Sequence, residues 1–405
     1  MLKALFFAII TALIIAFPAE AFMSNVGSEK ATGDNNPEED LLEEDNMVEG
    51  DLPVEETPGG PMEEGPAEDE HYYRGRVLQI KEAREDDNQY FTSIEQKLVV
   101  ELTSGPYEGQ QIEIINTYFE GDPVYDFLVE EGEEVIVVAF GEEGDFSEAY
   151  VYDQARDRGV YYLIGIFVLV LLVVGRMKGL KTIITLAVTV FLIFQFLLPL
   201  LLLGYSPVLL AVATAALAIT FTLFVIGGLN MKSLVAILGT ISGVIVAGLM
   251  AFLAGSFARL TGFGTHEAKM LYFLDHTIDF RGLLFAGIII GSLGAITDIG
   301  MSVASAASEI KEAKPDITGK ELFRGAFNVG RDVMGTMANT LILAYVGAAT
   351  PMLLLVMGYE MDWLRVINMD LIATEFVRGA AGSIGLVTAV PVTAFLAAYL
   401  LAGKK

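Results

Sequence analysis

From Gly287 to Glu309 the residues Gly287, Gly291, Gly294, Asp298, Ser302, Ser305 and Glu309 recur at steps of four, three, four, four, three and four. That spacing aligns all seven on one helix face. A carboxylate and two hydroxyls lined up inside an apolar stretch have the chemistry to hold or pass a proton or cation. Ionisable groups there are costly unless paired or used. The glycines let another backbone approach closely, a common device of membrane helix packing. The face reads as a seam against a neighbouring helix, close-packed at one end and polar at the other.

Two further segments repeat the theme. In "NVGRDVMGTMANTLILAYVG" the residues Asn328, Asp332, Gly335 and Asn339 share a face, with Thr336 and Thr340 beside them. Amides and hydroxyls in hydrocarbon need partners, so this face is expected to turn into the bundle. In "LIATEFVRGAAGSIGLVTAVPVTAF" Glu375 and Arg378 stand three apart and can pair along one helix. Gly379, Gly382 and Gly385 follow. Pro391 then removes a backbone donor and predicts a kink.

The candidate intramembrane polar path is therefore Asp298, Ser302, Ser305, Asp332, Thr336, Asn339, Thr340, Glu375 and Arg378. Gly287, Gly291, Gly294, Gly335 and Gly382 are the candidate packing positions. Each has a plainer alternative: Asp298 at the inner interface, capping a short helix, and Glu375–Arg378 as a solvated pair at the outer boundary.

Other chemistries find little support. With no cysteine there is no disulfide, thiolate ligand or thiol nucleophile. His266, Glu267, Asp275, His276 and Asp279 match no metal-ligand spacing and read as the surface of an interfacial helix within 258–281. No metal or cofactor is expected. The glycines of "GSLGAITD" fall inside an apolar span, so they do not form a phosphate loop. No nucleophile–base pattern is present, and an enzyme is not expected.

The elements that position these residues follow from charge and hydropathy. The 405 residues are 53% hydrophobic yet carry a formal net charge of −27, so the charge must be segregated. Residues 24–70 hold seventeen acidic residues against Lys30 alone, whereas residues 160–405 hold thirteen acidic and sixteen basic. Residues 1–21 read as a signal peptide or anchor helix: Lys3, an apolar core and Ala19-Glu20-Ala21. Residues 22–70 read as an acidic, disordered linker that cannot bury enough apolar surface to fold. Over 71–155, short β-branched runs such as "KLVVELTSG" and "EEVIVVAF", punctuated by Gly and Pro, predict about five strands. That is a small barrel of OB-like or SH3-like size. Its negative charge argues against nucleic acid as a partner.

From 156 to 405 seven apolar runs reach bilayer-spanning length, at about 160–175, 182–203, 207–229, 233–257, 282–303, 333–358 and 371–402. Arg176, Lys178, Lys181, Lys232, Lys311, Lys314, Lys320, Arg324, Arg331, Lys404 and Lys405 fall in one set of loops. The other set carries only Arg259, Lys269, Arg281 and Arg365. The positive-inside rule puts the first set and the C-terminus in the cytoplasm and the acidic domain outside the plasma membrane.

At "GAITDIGMSVASAASEI", "GRDVMGTMANTLILAYVG", "EFVRGAAGSIGLVTAVPVTA" and "VYDQARDRG" the chain resembles the YibE/F-like family of bacterial membrane proteins. That resemblance implies a multi-span protein with an N-terminal extracytoplasmic domain and transport as its expected activity, with no substrate. A more distant resemblance is to one half of a resistance-nodulation-division permease. It rests on the order of Asp298, the segment 311–331 and the last two spans, although no large domain follows the span at 182–203. The resulting expectation is an ion-coupled transporter or exporter of unknown substrate. The competing one is an accessory or assembly protein that binds a partner through its outer domain. Partners would be the lipid bilayer and another membrane protein or a second copy.

Overall fold

The computed structural model describes residues 70–88, 91–119, 127–142, 145–274 and 276–402. The proposed signal segment and most of the acidic linker lie outside the described residues. Two compact units emerge, one from the described residues up to Leu169 and one from Val170 onward.

The first unit contains five strands: β1 (Glu70–Asn88), β2 (Phe91–Leu102), β3 (Gln111–Phe119), β4 (Glu134–Glu142) and β5 (Asp145–Gln154). All pairings are antiparallel and the order is β3-β2-β1-β4-β5. β1 is long enough to serve two partners. Its first half pairs with β4 and its second half with β2, with register shifts between Val77 and Gln79 and between Ile80 and Glu82. Bulges of this kind bend a strand, and here the sheet curls until the edge strands β3 and β5 approach each other. The result is a half-barrel. Period-two alternation sends Tyr73 and Val77 of β1, Leu98, Val100 and Leu102 of β2, and Val135, Val137 and Ala139 of β4 into one core.

Two buried amides tie a loop to this sheet. Gln96 donates to the Val129 carbonyl at 3.0 Å and accepts from the Val129 amide at 3.0 Å. Asn116 donates to Gln96 Oε1 at 3.1 Å and to the Phe127 carbonyl at 2.9 Å. Gln96→Leu would leave the Val129 amide and carbonyl unpaired at about 1–3 kcal/mol per group. The variant is expected to expose residues 127–133 to protease several-fold faster than wild type, as read by limited proteolysis of the full chain in membranes.

Past β5 the chain is helical. α1 (Asp157–Leu192) is followed by a π-helical turn (Ile193–Leu197), α2 (Leu198–Leu202), α3 (Pro207–Gly227), α4 (Met231–Phe257) and α5 (His266–Leu274). Then come α6 (Phe280–Ala313), α7 (Gly319–Ala348), α8 (Thr350–Gly358), α9 (Trp363–Ile367) and α10 (Asp370–Leu401). Five of the helical stretches are long and apolar enough to cross a membrane, six if the bent pair α7–α8 forms one span. Two breaks matter. In α1, Arg176 leaves helical geometry (φ 48°, ψ −126°), and Gly179 backs onto the Leu171 carbonyl. At Ala349 the axes of α7 and α8 diverge by 59°. Pro391, by contrast, lies inside an unbroken α10.

Local chemistry fixes the helix starts. Asn230 accepts from the Ser233 amide at 2.9 Å and Asp279 from the Gly282 amide at 2.8 Å. Thr318 and Glu321 form a reciprocal capping box at the start of α7. The core is α4, α6 and α10, with α3 and α7 packed on its flanks. Ile289, Ile296, Ile299 and Val303 of α6, Val235 and Val244 of α4, and Leu386, Val390 and Ala394 of α10 fill it. Where α4 crosses α10 the backbones nearly touch. A methyl group at Gly243 would meet the Gly385 carbonyl oxygen at 2.8 Å, and one at Gly385 would meet the Gly243 carbonyl oxygen at 2.6 Å.

Candidate functional site

α6 and α7 each bury an apolar side and leave the opposite side open. On α6, Ile289, Ile296 and Val303 point into the core. Gly287, Gly291, Gly294, Asp298, Ser302 and Glu309, half a turn away, are exposed, and Ser305 is half-buried. The seven residues singled out by spacing do share one face. Among the described residues no helix covers that face along its whole length. A methyl group at Gly287 or Gly294 would meet nothing within 4 Å, and one at Gly291 would meet only the Tyr345 side chain of α7, at 2.8 Å from its hydroxyl.

α7 repeats the arrangement. Leu322, Ala326, Gly330 and Leu341 are buried, with Gly330 set between Val303 of α6 and Val390 of α10. Asn328, Asp332, Gly335, Thr336, Asn339 and Thr340 are exposed. The expectation that this polar face turns into the bundle is corrected by the structure: it points away from α6 and α10. The reason is that the packing of α7 depends on an apolar stripe. Gly330 and Leu341 lie roughly opposite Asp332 and Asn339 on the helix circumference. The threonines satisfy themselves, Thr336 donating to the Val333 carbonyl at 2.8 Å and Thr340 to the Thr336 carbonyl at 2.9 Å. Asp298, Asp332 and Asn339 make no side-chain hydrogen bond or ion pair among the described residues.

Glu375 and Arg378 behave differently. Arg378 Nη1 donates to Glu375 Oε1 at 2.7 Å, and the side chains retain only 20% (Glu375) and 27% (Arg378) of their exposure. The guanidinium lies 5.8 Å from the centre of the Tyr345 ring, within cation–π reach. Glu375 Oε2, Arg378 Nε and Tyr345 Oη are all shielded from solvent and lack hydrogen-bond partners. The pair is thus mostly enclosed between α7 and α10, and no hydrogen bond or ion pair connects it with Asp298. Gly382, just beyond it on α10, would place a methyl group 3.1 Å from both Leu341 and Ser292, a tight packing point of three helices.

Tyr345 was not singled out from the sequence, although it joins α6, α7 and α10. Its signal is a tyrosine in the apolar run 341–348, where a hydroxyl has to find a partner. Of the candidate metal-site residues, Asp275 lies outside the described residues. Among the described residues no three acidic, histidine or cysteine side chains gather.

Several long apolar helices, with a half-barrel ahead of them in the chain, define a polytopic membrane protein in which Asp298 and Asp332 sit on outward helix faces and the Glu375–Arg378 pair is mostly enclosed. The family follows from the sequence profiles that match: the YibE/F-like protein family over residues 163–403 and the YibE/F family N-terminal domain over residues 71–154. The chain belongs to the YibE/F family. No curated protein and no solved structure matches it.

Proposed function

We propose that the protein is an ion-coupled transporter or exporter whose conducting lane runs along the open face of α6. The observation that carries this reading is the carboxylate of Asp298, unpaired among the described residues, with Ser302 and Ser305 beyond it, on a face that no other described helix covers. Lipid cannot satisfy such groups, so water, an ion or another chain must. The outward polar face of α7, with Asp332 and Asn339, extends the polar surface. The reading takes the two arms of α1 on either side of Arg176 as separate spans, seven in all. It places the α6–α7 turn, rich in lysine, and the C-terminus in the cytoplasm of a bacterial cell, with the half-barrel outside. It assigns no catalytic role to any residue.

Because no substrate is known, the test reads proton movement. Purified protein is reconstituted into liposomes loaded with a pH-sensitive dye, and a pH gradient is imposed. Protein-dependent collapse of the gradient is expected, slowed at least tenfold in Asp298→Asn. Equal rates in the two proteins would remove Asp298 from the coupling step.

A second reading, an accessory protein that holds another membrane protein, is favoured by Gly287 and Gly294, which face nothing among the described residues. Small residues on an open membrane helix suit close approach by another helix. The absence of native cysteine makes the check clean: Gly294→Cys cross-linked in native membranes would return one stoichiometric partner, and the purified chain would show no proton flux.

A further inference from the structure

We propose that a second copy of this chain covers the open face of α6, each α6 meeting the polar face of α7 from the other copy. The two helices run antiparallel within a chain, and three contacts fix which of their residues share a depth. Gly330 lies against Val303, Gly325 against Ile310, and Gly291 against the Tyr345 side chain. Counting along both helices from these contacts puts Ser302 level with Asp332. It puts Asp298 within about one turn of Asn339. Inside one chain these residues do not meet, because the polar face of α7 points away from α6. A two-fold axis along the membrane normal preserves depth. It therefore sets each of them opposite its counterpart in the other copy, in both directions at once.

The two faces are complementary. Asp298 and Asp332 can only accept when ionised, and neither has a donor among the described residues. Asn339 carries amide donors, and Ser302 and Ser305 carry hydroxyls, that are equally unpaired among the described residues. Asn339 answers Asp298, and the serines answer Asp332, twice per dimer. Thr336 and Thr340 take no part as donors, since each bonds within its own helix. Toward the outer end the face needs contact rather than hydrogen bonds. A methyl group at Gly287 or Gly294 of α6, or at Gly335 of α7, would meet nothing within 4 Å. Small residues there admit a helix at close range. A lipid tail can fill that space but cannot serve the carboxylates. An unrelated helix would need donors at the same depths, and this chain's own α7 carries them. The dimer goes beyond the transport reading, which it neither requires nor excludes, and competes with the accessory reading for one face.

The test joins two differently tagged full-length copies co-expressed in native membranes, one carrying Ser305→Cys and the other Asn328→Cys. These positions share a depth, and the chain has no cysteine of its own. Copper-phenanthroline oxidation is expected to link the two tags at least tenfold faster than in a mismatched pair, Gly287→Cys with Asn328→Cys. The mismatched positions lie on the same two faces but roughly 30 Å apart in depth, far beyond disulfide reach. Single-molecule photobleaching of the labelled chain in liposomes then measures the association itself. Asn339→Leu should weaken it about tenfold, because the two-fold axis doubles each lost bond. The same variant should unfold at the wild-type temperature in detergent, since Asn339 is exposed within its own chain. Equal rates in the matched and mismatched pairs would overturn the proposal. So would wild-type association of Asn339→Leu, or a stoichiometric cross-link from Ser305→Cys to a different protein.

Discussion

Gly243→Leu is expected to eliminate folded protein from the membrane fraction. A side chain at Gly243 would start 2.8 Å from the Gly385 carbonyl oxygen, 2.8 Å from Ala389 Cβ and 2.8 Å from Ile296 Cγ2. Overpacking a core that can adjust costs about 1–3 kcal/mol. Here one obstacle is backbone, and the contact is mirrored at Gly385, so α4 and α10 would have to separate along their crossing. Within a membrane there is no hydrophobic drive to hold helices together, and close packing is the main attraction that would be lost. Gly287→Leu is the matched control, since its added side chain meets open space. Its effect on stability should stay within about 0.5 kcal/mol, as for ordinary surface changes. Fluorescence-detected size-exclusion profiles of tagged full-length proteins distinguish the two. A monodisperse wild-type-like peak from Gly243→Leu would mean that the α4–α10 crossing is looser than the structure shows.

The contrast between those two glycines shows what periodicity reveals. Spacing placed Gly287, Gly291, Gly294 and Asp298 on one face, and the structure keeps them on one face. It carried no information on whether that face met another helix of the same chain. The rule that polar groups in hydrocarbon turn inward suggested that Asp332 and Asn339 faced the bundle. The competing fact was already present in Leu322, Ala326, Gly330 and Leu341, an apolar and small stripe on the other side of α7 that packs against α6 and α10. A single chain can satisfy only one of the two demands, and packing won.

In the half-barrel, alternation located the strands, but β1 runs on through the acidic "EAREDDN" because pairing with Phe91–Lys97 supports it. Gln96 was legible in principle. It falls in the inward register of Leu98 and Val100 on β2, and a polar residue there has to find buried partners. Arg176 was read as the loop between two spans, yet helix persists on both sides of it up to a single residue of reversed φ. The lysines and arginine of "RMKGLK" predict interface, and nothing in their types predicts how short the break is.

Glu375 and Arg378 provide the second large expected effect, and the two single losses should be unequal. Replacing Glu375 with leucine strands a guanidinium that is mostly enclosed and cannot give up its charge. The expected cost is about 2–3 kcal/mol, somewhat below the ~3–5 kcal/mol of breaking a fully buried pair, because a quarter of the arginine side chain still reaches the surface. Arg378→Leu strands a carboxylate instead, a group that unlike a guanidinium has an accessible neutral form, so its cost should be smaller. Replacing both residues with leucine removes the two charges and their desolvation together, and this should restore stability to within about 1 kcal/mol of wild type. Thermal unfolding of the four purified proteins in one detergent closes the cycle. Strong coupling with Glu375→Leu as the worst variant is the expected pattern. Additive, near-zero effects would return the pair to the solvated boundary.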